Sequence, residues 1–301
     1  MKAPEGLPNS SKKFCLLKKS LYGLKQASRQ WFAKLVSELL SQGFSQSKND
    51  YSLFIRDQQN SFTAVAVYVD DILITGNDQS VISTLKTHLH QVFSIKDLGK
   101  LHYFLGIEIG YLPNGIALTQ QKFTKDLLQS SKVDISKPAV TPLPQNLKLH
   151  QDEGELYSKP SYYRKMVGKL NFLTHTRPDL AYTVQHLSQF MQTPRLPHIN
   201  ALHHTLRYVA RASGQGILIQ GSDKLTLQAF SDSDWASCPN SRRSITGYIL
   251  LLGGSPIAWK SKKQSTVSKS SSEAEYRAMS SAASEVAWVV RLLAELQIHS
   301  L

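Results

Sequence analysis

Cysteine is nearly absent from this chain: Cys15 and Cys238 are its only two. They stand far apart, with no CxxC pair and no clustered histidines, which excludes a disulfide framework and argues against structural zinc. Long apolar runs are also missing. No stretch reaches the roughly 18 to 20 uninterrupted apolar residues of a membrane span. The opening Met1-Lys2-Ala3-Pro4-Glu5-Gly6-Leu7-Pro8 is polar and turn-rich, unlike a secretory signal, so an intracellular protein of cytoplasm or nucleus is expected. Acids are the scarcer charge, with 22 Asp and Glu against 35 Lys and Arg and a formal charge of +13. A basic chain without a membrane segment most often meets a polyanion, nucleic acid first, although basicity can also serve solubility alone.

What is there centres on one stretch. At 301 residues the chain has room for two domains. Phe62-Thr63-Ala64-Val65-Ala66-Val67-Tyr68-Val69 runs into Asp70-Asp71, and Ile72-Leu73-Ile74-Thr75-Gly76 runs out. Both flanks are rich in Val, Ile and Thr and read as strands, which puts the acids at the tip of a tight hairpin. Asp is at home in turns, so the pair can simply make the bend. Two carboxylates on rigid strands also supply part of the oxygen shell that a hard divalent cation wants.

Taken in order, the first 34 residues carry Lys2, Lys12, Lys13, Lys18, Lys19, Lys25, Arg29 and Lys34 against Glu5 alone. Such a cluster could line a phosphate track. Ala27 to Gln42 spaces Phe32, Leu35, Val36, Leu39 and Leu40 along one helical face, with Gly43 placed for a C-cap. Tyr51 to Arg56 and Phe62 to Val69 read as strands. Asn77 or Asp78 then caps a helix with Val81, Leu85, Leu89 and Val92 on its apolar side. A hairpin follows, from Tyr103 to Ile109, through Pro113-Asn114-Gly115, to Ile116 to Thr119. The segment Lys137-Pro138-Ala139-Val140-Thr141-Pro142-Leu143-Pro144 reads as an extended connector. Helices are expected over Tyr162 to Thr174, Asp179 to Met191 and His198 to Arg211. His203 and His204 lack acid or Cys partners at ligand spacing, so a surface or core-edge role fits them better than metal. Three strands close the pattern, the first ending at Phe230-Ser231-Asp232-Ser233-Asp234-Trp235, and Ser270-Ser271-Ser272 caps a helix that carries Glu273 and Glu275. A strand-end Asp and a helix-borne Glu could converge on metal, or the Glu residues could simply complement the helix N-terminus.

Six strings in this order resemble the reverse transcriptase and RNase H region of the Pol polyprotein of copia-type LTR retrotransposons. They are Lys18-Lys19-Ser20-Leu21-Tyr22-Gly23-Leu24-Lys25-Gln26-Ala27 with Arg29-Gln30-Trp31; Tyr68-Val69-Asp70-Asp71; Lys96-Asp97-Leu98-Gly99 with Leu105-Gly106-Ile107-Glu108-Ile109; Thr176-Arg177-Pro178-Asp179-Leu180; Ser231-Asp232-Ser233-Asp234-Trp235; and Ser271-Ser272-Glu273-Ala274-Glu275-Tyr276. The resemblance covers nearly the whole chain. It implies an α+β fold: a right-hand polymerase palm with thumb and connection helices, then an incomplete RNase H-like α/β domain. The implied division is residues 1–136 for the palm region, 137–222 for connector and thumb-like helices, and 223–301 for the RNase H-like part.

The same resemblance implies an RNA-directed DNA polymerase that uses two magnesium ions on an RNA template with a DNA primer or RNA–DNA hybrid. Asp70 would be a metal ligand and Asp71 its weaker neighbour. Gly23, Lys25, Gln26 and Arg29 would shape the nucleotide pocket and template contact, and Gly106 would belong to the primer-grip hairpin. Lys96 would donate a proton to pyrophosphate, or be one more exposed cation. Asp232 and Glu275 would be the first two carboxylates of a second two-metal site, with Asp234 and Glu273 as neighbours. The family has a further metal-binding Asp before the basic segment and further Asp residues beyond the last helix, so a chain truncated at both ends and inactive alone is expected. Two other readings stay open: a non-catalytic basic nucleic-acid-binding remnant, and a metal-dependent hydrolase built on Asp70, Asp71 and Glu108. Uncovered apolar residues at Trp288, Val289, Leu292 and Leu293 are expected to lower solubility.

Overall fold

The computed structural model describes residues 14, 16, 21 and 23–299. Lys2, Lys12, Lys13, Cys15, Lys18, Lys19 and Tyr22 lie outside the described residues. The chain divides into two units, residues 1–98 with 295–297, and residues 99–294 with 298–301.

In the first unit, helix α1 (Ala27–Ser41) precedes a meander of β1 (Ser45–Gln46), β2 (Leu53–Gln58), β3 (Ser61–Tyr68) and β4 (Asp71–Gly76), and α2 (Gln79–Phe93) follows. The four strands pair antiparallel in chain order. On β3 Thr63, Ala64, Val65 and Val67 are buried, Ala66 is half-buried and Tyr68 is exposed, so both faces of the strand are largely covered. Leu35 and Leu39 of α1 and Leu85 and Leu89 of α2 meet Phe54, Val65 and Val67 in one core. The face of α2 differs from the expected one. Ile82, Leu85 and Leu89 are buried, while Val92 is exposed. The stripe sits one residue later because Phe93 and Ile95, beyond Val92, close that end of the core. Asp78 caps α2 by accepting from the Ser80 and Val81 backbone N–H groups. Hydroxyl donors Ser80 and Ser61, with the Val81 N–H, pull its carboxyl down to about 2.

The second unit opens with β5 (Tyr103–Phe104), β6 (Ile107–Leu112), β7 (Gly115–Thr119) and α3 (Gln121–Ser131). Next come α4 (Pro160–Leu173), a 3-10 turn (Pro178–Leu180), α5 (Ala181–Ser188) and α6 (Leu196–Arg211). The chain continues through β8 (Ile217–Gln220), β9 (Leu227–Asp234), β10 (Ile245–Leu252), β11 (Ser255–Lys263) and α7 (Ser271–Glu295). β8 adds to the first hairpin in the order β5-β6-β7-β8, and β11-β10-β9 form a separate antiparallel sheet. The helical core gathers Leu127, Tyr163, Met166, Leu170, Leu187, Leu202 and Leu206.

The segment from 137 to 144 forms neither helix nor strand, as its prolines require, but it bends at 137 and through 140–143 where an extended connector was expected. Its backbone carbonyls find donors on α6: His204 Nε2 reaches Thr141 O at 3.0 Å, and Thr205 Oγ1 donates to Pro142 O at 3.0 Å. Buried His198 is held the same way, accepting from Arg195 N at Nδ1 and bonding His150 O through Nε2. Burial holds its imidazole below the ordinary histidine range. The expected uncovered face on α7 is corrected in part. Val289 and Leu293 are buried against Tyr248 and Leu250, and Leu292 is half-buried; of the four, Trp288 alone is exposed.

Candidate functional site

Tyr68 pairs with Asp71, which leaves Val69 and Asp70 as a two-residue hairpin loop. Val69 sits at φ +51°, a left-handed conformation that a β-branched residue rarely adopts. Such strain costs on the order of 1–3 kcal/mol and persists only where the flanking strands impose it. Here the register of β3 and β4 does so. The outcome is that Asp70 and Asp71 are both exposed at the hairpin tip, beside exposed Tyr68 and Val69. Two hard oxygen donors so placed suit a magnesium-like cation in part, and water or phosphate oxygens would have to complete the shell. Among the described residues no cluster of three or more His, Cys, Asp or Glu side chains is placed to hold a metal.

Gly23 adopts φ +87°, with open space where a Cβ would lie. Lys25 lies in the turn before α1, Gln26 at its N-cap and Arg29 in its first turn, and all three are exposed. Lys96 is exposed as well, while Asp97 beside it pairs with Lys86 at 3.1 Å.

In the second unit Gly106 takes φ +83° at the bend between β5 and β6, and a Cβ there would lie 2.6 Å from Phe172 Cζ. Glu108 accepts from Lys122 N at 2.7 Å and so caps α3.

Asp232 and Glu275 come from β9 and α7. The backbone N–H of Ser233, next to Asp232, donates to Glu275 Oε1 at 3.3 Å, so the helix carboxylate reaches the strand that carries Asp232. Glu273 faces elsewhere. It accepts from Lys269 N and pairs with Arg277 at 2.7 Å, and these contacts hold its carboxyl below the usual range. The two glutamates are thus divided, Glu273 to the helix terminus and Glu275 to the strand. Asp234 is exposed on β9.

One positioning residue escaped sequence reasoning. Buried Gln264 places Nε2 within hydrogen-bond distance of Ser233 Oγ (3.2 Å), Thr246 Oγ1 (3.1 Å) and Ala274 O (2.9 Å), while Ser268 donates to its Oε1. It ties β9, β10 and the first turn of α7 together, and with them Asp232 and Glu275. A glutamine in a polar run carries no local signal of burial.

Residues 1–145 match the family described as reverse transcriptase (RNA-dependent DNA polymerase). The chain is 45% identical over 285 residues to the retrovirus-related Pol polyprotein from transposon RE1 of Arabidopsis thaliana, a match spanning 95% of this chain and 19% of that protein. It is 36% identical over 313 residues to the corresponding polyprotein from transposon TNT 1-94 of Nicotiana tabacum, across 99% of this chain and 23% of that one. An uncharacterized mitochondrial protein of Arabidopsis thaliana is 44% identical over 223 residues, which is 74% of this chain and 92% of that protein. The chain therefore spans about a fifth of the length of the Pol polyproteins it matches. No solved structure matches it.

Proposed function

We propose a reading that starts from one fact: the chain belongs to the reverse transcriptase family carried by the retrovirus-related Pol polyproteins of copia-type transposons. In this reading residues 1–136 are the palm region of a right-hand polymerase, 137–222 the connector with thumb-like helices, and 223–301 an RNase H-like domain. Asp70 is a metal ligand and Asp71 its weaker neighbour. Magnesium bound there would lower the pKa of a primer 3′-hydroxyl and hold the pyrophosphate leaving group of an in-line displacement. The observation that carries the reading is the strained Val69–Asp70 turn, which holds both carboxylates at an exposed strand tip.

Around that turn, Gly23 leaves open space beside the nucleotide, and Lys25 in the turn before α1 and Arg29 in its first turn meet template phosphates, with Gln26 between them at the helix cap. Gly106 shapes the primer-grip bend, and Lys96 either donates a proton to pyrophosphate or is one more exposed cation. Asp232 and Glu275 form the start of a second, RNase H-type carboxylate site. The described residues bring two carboxylates to the turn, fewer than a two-metal centre uses. In our reading the chain binds an RNA template with its DNA primer, and nucleotidyl transfer requires a further ligand. Among the described residues no helix is long and apolar enough to cross a membrane.

Nucleic-acid binding tests the partner. Affinity of the full chain for an RNA–DNA hybrid is expected to fall with salt along a log–log slope of about −3 or steeper and to ignore base sequence. The double substitution Lys25→Gln with Arg29→Gln should flatten that slope by about 2, since each phosphate contact contributes about 1. A salt-independent affinity would overturn the reading.

A further inference from the structure

A second concavity lies in the unit that does not contain the Asp70–Asp71 turn. It holds about 550 Å³ between the segment after α3 and the face of α6. Lys132, Lys137 and Arg207 line it, facing a single carboxylate, Asp134. That carboxylate is occupied locally, accepting from the Ser136 N–H at 2.9 Å. Among the described residues Lys132, Lys137 and Arg207 close no ion pair within 4 Å, and Asp134, whose carboxyl the Ser136 hydrogen bonds and then the Arg207 charge hold below the usual range, is the one acid that lines the cavity with them. Unpaired cations turned into one cavity repel one another, and an anion would relieve that repulsion.

The pocket is also built. Lys132 takes φ +55° at the end of α3, which brings the backbone round toward α6. Tyr162 donates to Ser131 O at 2.8 Å and meets the His203 ring edge-on at 6.2 Å, which fixes the wall on which His203 stands. His204 is anchored to Thr141 O by Nε2. The volume falls within the range of small-molecule sites.

We propose that this pocket is an anion site for phosphate groups, held by Lys132, Lys137 and Arg207. Guanidinium offers a planar fork that donates to phosphate oxygens two at a time, and the lysines add mobile charge at the rim. The site stands on these residues alone and does not depend on the polymerase reading. The phosphates could belong to a free nucleotide or pyrophosphate, or to a nucleic-acid backbone.

The test uses inorganic pyrophosphate as the probe and the full 301-residue chain, titrated calorimetrically at low salt. Saturable binding is expected, with at least a tenfold loss in a Lys132→Gln, Lys137→Gln, Arg207→Gln triple variant. A control triple, Lys125→Gln, Lys148→Gln, Lys224→Gln, removes equal charge from exposed positions of the same unit and should bind as the parent does. The His203 ring gives a second readout by NMR. Burial and Arg207 hold its pKa below the ordinary histidine value, and bound pyrophosphate should raise it. Competition by a short single-stranded oligonucleotide would identify the backbone as the phosphate source, and lack of competition would identify a free polyphosphate. Absence of saturable pyrophosphate binding, or equal loss in both triples, would overturn the proposal.

Discussion

Replacing Arg177 by alanine is expected to destabilise the second unit by about 3 to 5 kcal/mol, the usual cost of stripping one partner from a buried ion pair. Its guanidinium is buried and grips Asp179 with both Nε, at 2.9 Å, and Nη2, at 2.7 Å. Nη1 donates to Ala212 O at 3.0 Å, just past the end of α6, and Tyr208 donates to Asp179 Oδ2 at 2.8 Å. Burial would by itself push the Asp179 carboxyl up; the Arg177 and Tyr208 hydrogen bonds outweigh it and hold the group below the usual carboxylate range. Alanine would leave a part-buried charge and the Ala212 carbonyl without their donor. Chemical denaturation of parent and variant checks this. Removing both charges together, as Arg177→Met with Asp179→Leu, should cost much less than the sum of the single changes, because neither charge is then left unpaired. A single-variant loss below about 1 kcal/mol would mean the pair contributes no more than an exposed one.

Gly106→Ala is expected to cost about 3 kcal/mol, from two sources. A left-handed backbone costs an L residue roughly 1–2 kcal/mol, and forcing an extra carbon into a packed site adds about 1–3 kcal/mol. The new Cβ would meet the Phe172 ring at 2.6 Å. That ring cannot simply swing away, since Phe123 packs edge-on against it at 4.8 Å and His175 at 5.6 Å. Pairing Gly106→Ala with Phe172→Leu should recover the steric part and leave the backbone part. If the two substitutions added without any recovery, the ring contact would not be the cause.

These two sites show what could and could not be read from the sequence. The hairpin around Asp70 and Asp71 was legible because apolar β-branched runs broken by two acids are a local feature, although the loop is Val69–Asp70 and Asp71 already belongs to β4. The capped helices α1 and α2 were legible for the same reason, although the buried stripe of α2 moved to Ile82 once Phe93 and Ile95 closed the core. Helix α3 was missed because its cap is the Glu108 carboxylate, supplied from a strand 14 residues earlier. Strand β8 was missed because four residues acquire an identity only by pairing with β7. Arg177 entered only as part of a family string, Thr176-Arg177-Pro178-Asp179-Leu180. Its burial follows from partners in the 3-10 turn and at the end of α6, and composition does not announce them. Gln264 likewise takes its place only through contacts across the chain, to Ser233, Thr246 and Ala274. The first basic cluster, Lys2 to Lys19, lies outside the described residues, so the phosphate track rests on Lys25 and Arg29.

Primer extension tests the central claim most directly. The full chain would be given an RNA template, a DNA primer and magnesium, beside an Asp70→Asn variant, with hybrid binding followed in the same samples. The account predicts that both proteins bind the hybrid alike and that neither extends the primer, because Asp70 and Asp71 lack a third carboxylate among the described residues. Extension by the parent that disappears in Asp70→Asn would contradict that incompleteness and place a further ligand within these 301 residues. Failure of both proteins to bind the hybrid would contradict the account at its root.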